Sequence, residues 1–161
     1  MSGPRPVLTS QLVGPYTLDA GDVVRVTVYG EDGLSRSYRV DDSGKVAFPL
    51  TGPIDVRGKT TEQAAAAIAA GLARGFMRNP NVAVEIDTYR PFYIQGGIAN
   101  PGQFAYVPGM TVRAAVSTAG GFAADTLHSQ VTIYRNVGGE TVTSRVGLDF
   151  PIFPGDTISV E

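Results

Sequence analysis

The sequence predicts an α+β protein made of two small β-rich modules, and three observations carry that expectation. One phrase occurs twice, near each end: Gly21-Asp22-Val23-Val24-Arg25-Val26-Thr27-Val28 and Gly155-Asp156-Thr157-Ile158-Ser159-Val160. In both, a Gly-Asp turn launches a strand of alternating apolar residues, with Val24, Val26 and Val28 sharing one face and Ile158 and Val160 sharing another. Each half also holds one stretch of helical period behind a threonine able to cap it. Finally, twenty glycines and eleven prolines are spread along the 161 residues, which marks many turns joining short elements. The order strand–turn–strand–helix–strand recurs in both halves and disfavours a doubly wound parallel sheet.

Residues 1–15, with three prolines and two glycines, read as a loose extended arm. In the first module (16–88) the Gly-Asp strand is followed by Tyr38-Arg39-Val40, which enters a turn at Asp41-Asp42-Ser43-Gly44, and Lys45 to Leu50 leave it. Ile54-Asp55-Val56 is a further short strand. Thr60 with Gln63 three residues on forms a capping box, and Ala65, Ile68, Ala69 and Leu72 make the apolar stripe of the helix behind it. That helix should fade between Gly71 and Gly75, before Asn79-Pro80, and Val82 to Ile86 alternate as a strand. The second module (91–161) opens on Phe92-Tyr93-Ile94, turns at Asn100-Pro101-Gly102, continues through Gln103 to Val107 and turns again at Pro108-Gly109. Thr111 caps a helix with Val112, Ala115, Val116 and Ala119 on one stripe, and Gly120-Gly121 ends it. Val131 to Tyr134 and Thr141 to Thr143 flank Gly138-Gly139 as a hairpin, and the second Gly-Asp strand completes the sheet.

A hydrophobic content of 43% is enough for a packed core, which argues against wholesale disorder. The formal charge of −2 provides no broad basic field, so nucleic acid is not an expected partner. Cysteine is absent, which removes disulfides and thiolate metal sites. The N-terminus shows no apolar core of a signal peptide, and no stretch approaches the length of a membrane helix.

Four features invite sharper readings. Gly52 to Thr60 resembles a phosphate-binding loop, but five residues separate its glycines where four are required, and Pro53 lacks an N–H. Lys59 and Thr60 more simply enter and cap the helix. His128, the single histidine, has no cysteine or second histidine for a zinc site, and no nucleophile elbow accompanies it. Asp41 and Asp42, with Asp19 and Asp22, could be an acid pair or a calcium site, but glycoside chemistry needs two carboxyls set across a sugar, and EF-hand spacing is absent. Asp-rich turns before glycine account for them. Of the seven tyrosines, Tyr38 stands out because it follows the polar stretch Leu34-Ser35-Arg36-Ser37. We expect no catalytic residues, no metal and no cofactor.

The phrases fall in a familiar order. Tyr16-Thr17-Leu18 running into Gly21-Asp22-Val23, Tyr38-Arg39-Val40 through Gly44, Phe48-Pro49-Leu50-Thr51-Gly52, Gly58-Lys59-Thr60 and Asn79-Pro80-Asn81-Val82 resemble the polysaccharide-export domain of the outer-membrane polysaccharide export family of Gram-negative bacteria. Ile94-Gln95-Gly96-Gly97, Asn100-Pro101-Gly102-Gln103, Pro108 to Val112, Ala119-Gly120-Gly121 and Pro154-Gly155-Asp156 resemble one soluble-ligand-binding β-grasp (SLBB) domain. The resemblance covers about nine-tenths of the chain.

It implies a periplasmic, outer-membrane-associated component of a capsular or exopolysaccharide export machine. Such a component forms or contributes to a ring-like conduit, built head to tail from copies of itself. The implied partners are the polysaccharide, an inner-membrane co-polymerase and export complex, and an outer-membrane partner or barrel. The chain departs from the longest members in having one β-grasp repeat, no amphipathic helix after Glu161, and neither a signal peptide nor a lipobox cysteine. Either the sequence is a trimmed piece of a longer protein, or it is a short member that would need another protein to cross the outer membrane. Two other functions stand beside this one: a soluble saccharide- or ligand-binding β-grasp module that forms no conduit, and an enzyme acting on polysaccharide, for which no usable carboxylate or histidine spacing is present. In long family members the counterpart of Leu34–Tyr38 lies at the narrow mouth of the ring. Arg36, Tyr38 and Arg39 are therefore the candidate contacts to polymer or partner, through charge-assisted hydrogen bonds and ring stacking.

Overall fold

The computed structural model describes residues 3–123 and 128–161. Its contacts divide the chain into two compact units: Pro15–Thr88, and a second unit made of Tyr89–Glu161 together with the residues up to Gly14. The first unit is therefore inserted, in chain order, into the second.

In the Pro15–Thr88 unit, β2 (Val23–Val28) is the centre of an antiparallel sheet between β3 (Arg36–Arg39) and β6 (Val82–Thr88). A hairpin of β4 (Lys45–Phe48) and β5 (Gly52–Asp55) adjoins it through a bridge between Val40 and Val46. Helix α1 (Thr61–Leu72) packs against β6. Its capping box is formed: the Thr60 hydroxyl accepts from the Gln63 N–H at 3.2 Å, and the Gln63 side chain accepts from the Thr60 N–H at 3.0 Å. The buried stripe runs through Ala64, Ile68 and Leu72, with Ile68 and Leu72 as predicted and Ala65 and Ala69 half-buried at its margin. Every second residue of β2 (Val24, Val26, Val28) joins these in the core, as the alternation requires.

The other unit is a six-stranded sheet in the order β1-β10-β9-β11-β7-β8. Here β1 is Arg5–Pro6, β7 Phe92–Gly96, β8 Gly102–Phe104, β9 Gln130–Val137, β10 Glu140–Gly147 and β11 Thr157–Val160. Helix α2 (Val112–Thr118), capped by Thr111, buries Val112, Ala115, Val116 and Ala119, the stripe read from the sequence. The second Gly-Asp strand, β11, lies between β7 (parallel) and β9 (antiparallel), so the last strand in sequence is central in the sheet. Each unit holds one α-helix among the described residues, and the fold is α+β.

Two expectations change. Residues 1–15 are not a loose arm, although Met1 and Ser2 lie outside the described residues. Arg5 and Pro6 pair in parallel with Val142 and Thr143 of β10, a 3-10 turn follows at Thr9–Leu12, and Leu12 is buried with Ile158 and Val131 in one core. Local propensity could not reveal this, because the partner strand is more than 130 residues away in sequence. The predicted strand from Gln103 to Val107 stops at Phe104, three residues before the exposed Val107 and ahead of the Pro108-Gly109 turn.

Candidate functional site

The repeated Gly-Asp phrase builds the same device in both units. The N–H of Asp22 donates to the carbonyl of Asp19 at 3.2 Å, and that of Asp156 donates to the carbonyl of Phe153 at 3.1 Å. The carboxylate then accepts the N–H of that same earlier residue, Asp19 at 3.0 Å and Phe153 at 2.7 Å. Gly21 and Gly155 hold the third turn position at φ of +94° and +82°, where any side chain is strained. Both aspartates are buried, yet their further partners differ: the Tyr16 hydroxyl donates to Asp22 at 2.6 Å, whereas Arg135 grips Asp156.

That grip was not anticipated from the sequence. Arg135 and Asp156 are 4% and 1% exposed and pair through two bonds of 2.9 and 2.7 Å. A third guanidinium N–H donates to the carbonyl of Leu12 at 2.6 Å, a fourth contact reaches the carbonyl of Pro151 at 3.3 Å, and the cation lies 4.0 Å from the centre of the Phe153 ring. Burial pushes the Asp156 carboxyl up, and the Arg135 guanidinium with the Phe153 N–H pulls it back. The sequence does carry a signal for this pair, since Arg135 takes the third inward position of β9 after Val131 and Ile133. An arginine on the core face of a strand requires a buried partner.

The three predicted contact residues sit on β3, an edge of the three-stranded sheet. They do not share a face. Register sets Tyr38 opposite Val24 and Arg36 opposite Val26, on the core side, while Arg39, opposite Val23, belongs to the other face with Ser37. Tyr38 is buried, packs against Phe48 in a tilted pair at 4.9 Å between ring centres and donates its hydroxyl to the carbonyl of Leu34 at 2.7 Å. Its ring is therefore closed to stacking with a passing sugar, which corrects the role expected for it. Tyr38 instead positions the loop before it, together with Ser35, whose hydroxyl accepts from the Val28 N–H at 2.9 Å. Arg36 and Arg39 remain exposed, with the Arg36 guanidinium 5.3 Å from the Tyr38 ring centre. On the outer face with Arg39 lie Arg25, Glu85 and Asp87, and Ser37 donates to Asp87.

The remaining candidates resolve locally. Asp41 holds its turn by accepting from Ser43 N–H and hydroxyl and from Lys45 N–H, and these bonds hold its carboxyl below the usual range. Asp19 accepts from Arg57 at 2.9 Å. The N–H groups of Val56, Gly58 and Lys59 go to the carbonyls of Gly44, Leu18 and Val56, so the segment resembling a phosphate loop has no converging donors. His128 packs on Phe122 with 4.8 Å between ring centres.

Residues 10–87 match the family model of polysaccharide biosynthesis/export proteins, and residues 91–146 match the SLBB domain directly after it. The chain belongs to the polysaccharide biosynthesis/export family. Among curated proteins it is similar to the exopolysaccharide production protein ExoF of Rhizobium meliloti (strain 1021), at 35% identity over 67% of this chain and 26% of that protein. It is also similar to the EPS I polysaccharide export outer membrane protein EpsA of Ralstonia nicotianae, at 34% identity over 69% of this chain and 30% of that protein. With the polysialic acid transport protein KpsD of Escherichia coli it shares 28% identity over 57% of this chain and 17% of that protein. The match thus spans 26% and 30% of the length of the first two. In this family member the SLBB match stops at Val146, yet the central strand β11 lies beyond it, and residues 10–12 of the export-domain match belong to the unit of Tyr89–Glu161.

Proposed function

We propose that the protein is a non-enzymatic, periplasmic and outer-membrane-associated component of a capsular or exopolysaccharide export machine. It forms or contributes to a ring-like conduit between an inner-membrane co-polymerase and export complex and an outer-membrane partner or barrel. The observation that carries this reading is the succession of export domain and SLBB domain along one chain, supported by its similarity to an exopolysaccharide production protein and a polysaccharide export outer membrane protein. Among the described residues no helix is long and apolar enough to cross a membrane.

Within that reading Arg36 and Arg39 are the contacts to polymer or partner. Both are exposed on an edge strand, and a guanidinium binds carboxylate and hydroxyl oxygens through several N–H groups at once. Contacts stay weak in a conduit, because a wall that holds its cargo tightly cannot release it. The test is polysaccharide export in cells carrying R36A/R39A in place of the native chain. Exposed substitutions shift stability by less than about 0.5 kcal/mol, so the variant keeps the native melting temperature. Reduced export at normal protein level supports the assignment, and normal export removes it.

A further inference from the structure

Apart from β3, the structure holds a cleft of about 560 Å³ in the SLBB unit, lined by Arg113, His128, Ser129, Leu148, Asp149 and Phe150 together with Gly147. Its walls are tied to one another. The N–H of Arg113, in the first turn of α2, donates to the carbonyl of Leu148 at 2.7 Å, and that of Val112 donates to the carbonyl of Phe150 at 2.9 Å. The β9–β10 register sets Gln130 opposite Gly147, which brings Ser129 to the segment that carries Leu148. Site residues held by backbone bonds between elements need little reordering on binding.

The polar groups of the cleft are arranged for hydroxyls. Arg113 donates from Nε to Asp149 Oδ1 at 3.2 Å, and the two side chains are 62% and 86% exposed. This single bond leaves the terminal guanidinium nitrogens as donors next to Asp149 Oδ2 as acceptor. A vicinal diol has the complementary pattern, with one oxygen accepting and the neighbouring O–H donating. The pair has no net charge, which gives a carboxylate-bearing ligand no electrostatic preference. The half-buried Leu148 and Phe150 supply the apolar surface on which the C–H face of a pyranose rests, and His128, packed against Phe122, adds an aromatic edge. We infer that this cleft is a subsite for a neutral pyranose unit with adjacent hydroxyls. Taking a saccharide chain as its source rests on the export reading; the donor, acceptor and apolar pattern does not.

The test is titration of the purified, isotope-labelled full chain by two-dimensional amide NMR. The probes are a neutral oligoglucoside, its monosaccharide, an oligouronate, and a polyol without a ring. Saturable shifts confined to residues 113, 128–129 and 147–150 are expected with the neutral sugars, tighter for the oligomer if the source is a chain. R113A and D149N should each weaken binding about tenfold, the loss of one charge-assisted hydrogen bond, with unchanged spectra elsewhere. The proposal is overturned by no saturable shift, by an equal response to the acyclic polyol, by tenfold preference for the oligouronate, or by R113A and D149N binding as the native chain does. An oligomer no tighter than the monosaccharide overturns the polymer as source. Because the readout is binding by the purified chain, its failure leaves the export reading standing. Normal export in cells from which the native chain is deleted would remove that reading and leave the cleft.

Discussion

Arg135 and Tyr38 show how differently a polar-looking residue can be used. Truncating Arg135 leaves the Asp156 carboxylate buried without its cation, so R135A should lose about 3–5 kcal/mol in chemical denaturation. Replacing both partners by apolar residues of similar size should cost less than either single change. Tyr38→Ala empties a core site and should cost about 3–5 kcal/mol, whereas Tyr38→Phe loses the bond to Leu34 and about 1 kcal/mol. The exposed arginines on either side of it carry no such penalty. Asp41 allows a test against pH. Its folded-state pKa is depressed, so its contribution is present above the ordinary carboxylate range and lost as pH falls through the lower folded value. D41N should therefore melt below the native chain at neutral pH, and the two melting temperatures should converge on acidification.

At the scale of elements, close approach and register decide the SLBB sheet. Gly96 ends β7 at φ +93°, and a Cβ built there would lie 1.8 Å from the carbonyl oxygen of Val160. That atom is backbone of β11, which cannot yield without moving the sheet's central strand. G96A should cost about 3 kcal/mol or more, read by denaturation or by loss of soluble protein. The N-terminal segment is the second case. Deleting residues through Gly14 removes the β1 pairing, the buried Leu12 side chain and the carbonyl that Arg135 bonds. The loss should be about 2–4 kcal/mol. It should fall on the SLBB amides in hydrogen exchange and spare those of Pro15–Thr88. A peptide of residues 3–14 added in trans should restore part of the protection.

For the whole molecule, the insertion of one unit within the other in chain order makes their stabilities separable by experiment. Residues 15–88 enclose their own core, so that fragment should fold alone and melt cooperatively. Assembly under the proposed function is heterologous, one face of a copy docking on a different face of the next. We expect the purified chain to sediment as a monomer and to form head-to-tail contacts once tethering raises its local concentration. A closed two-fold dimer that persists on dilution would contradict this.

What the sequence determined alone is whatever short-range physics controls. The two Gly-Asp turns, both threonine caps, the α2 stripe, the alternation of β2 and the two-residue hairpin turn at Gly138-Gly139 depend on neighbours within a few residues, and each is found where local patterning placed it. The family, too, was legible, because its phrases are these same turns and caps in order. Only the tertiary structure decided what requires distant partners. A proline-rich arm became an edge strand because β10 offered it free carbonyl and N–H groups, and an arginine in β9 became buried because Asp156 and Leu12 converge on it. The same holds for Tyr38, whose polar neighbours in sequence concealed that strand alternation turns its ring inward against Phe48. Arg113 and Asp149, 36 residues apart, meet only when α2 docks on the segment after β10. Long-range pairing of this kind leaves no periodic trace in a single sequence, which is why the candidate sites were less legible than the elements that hold them.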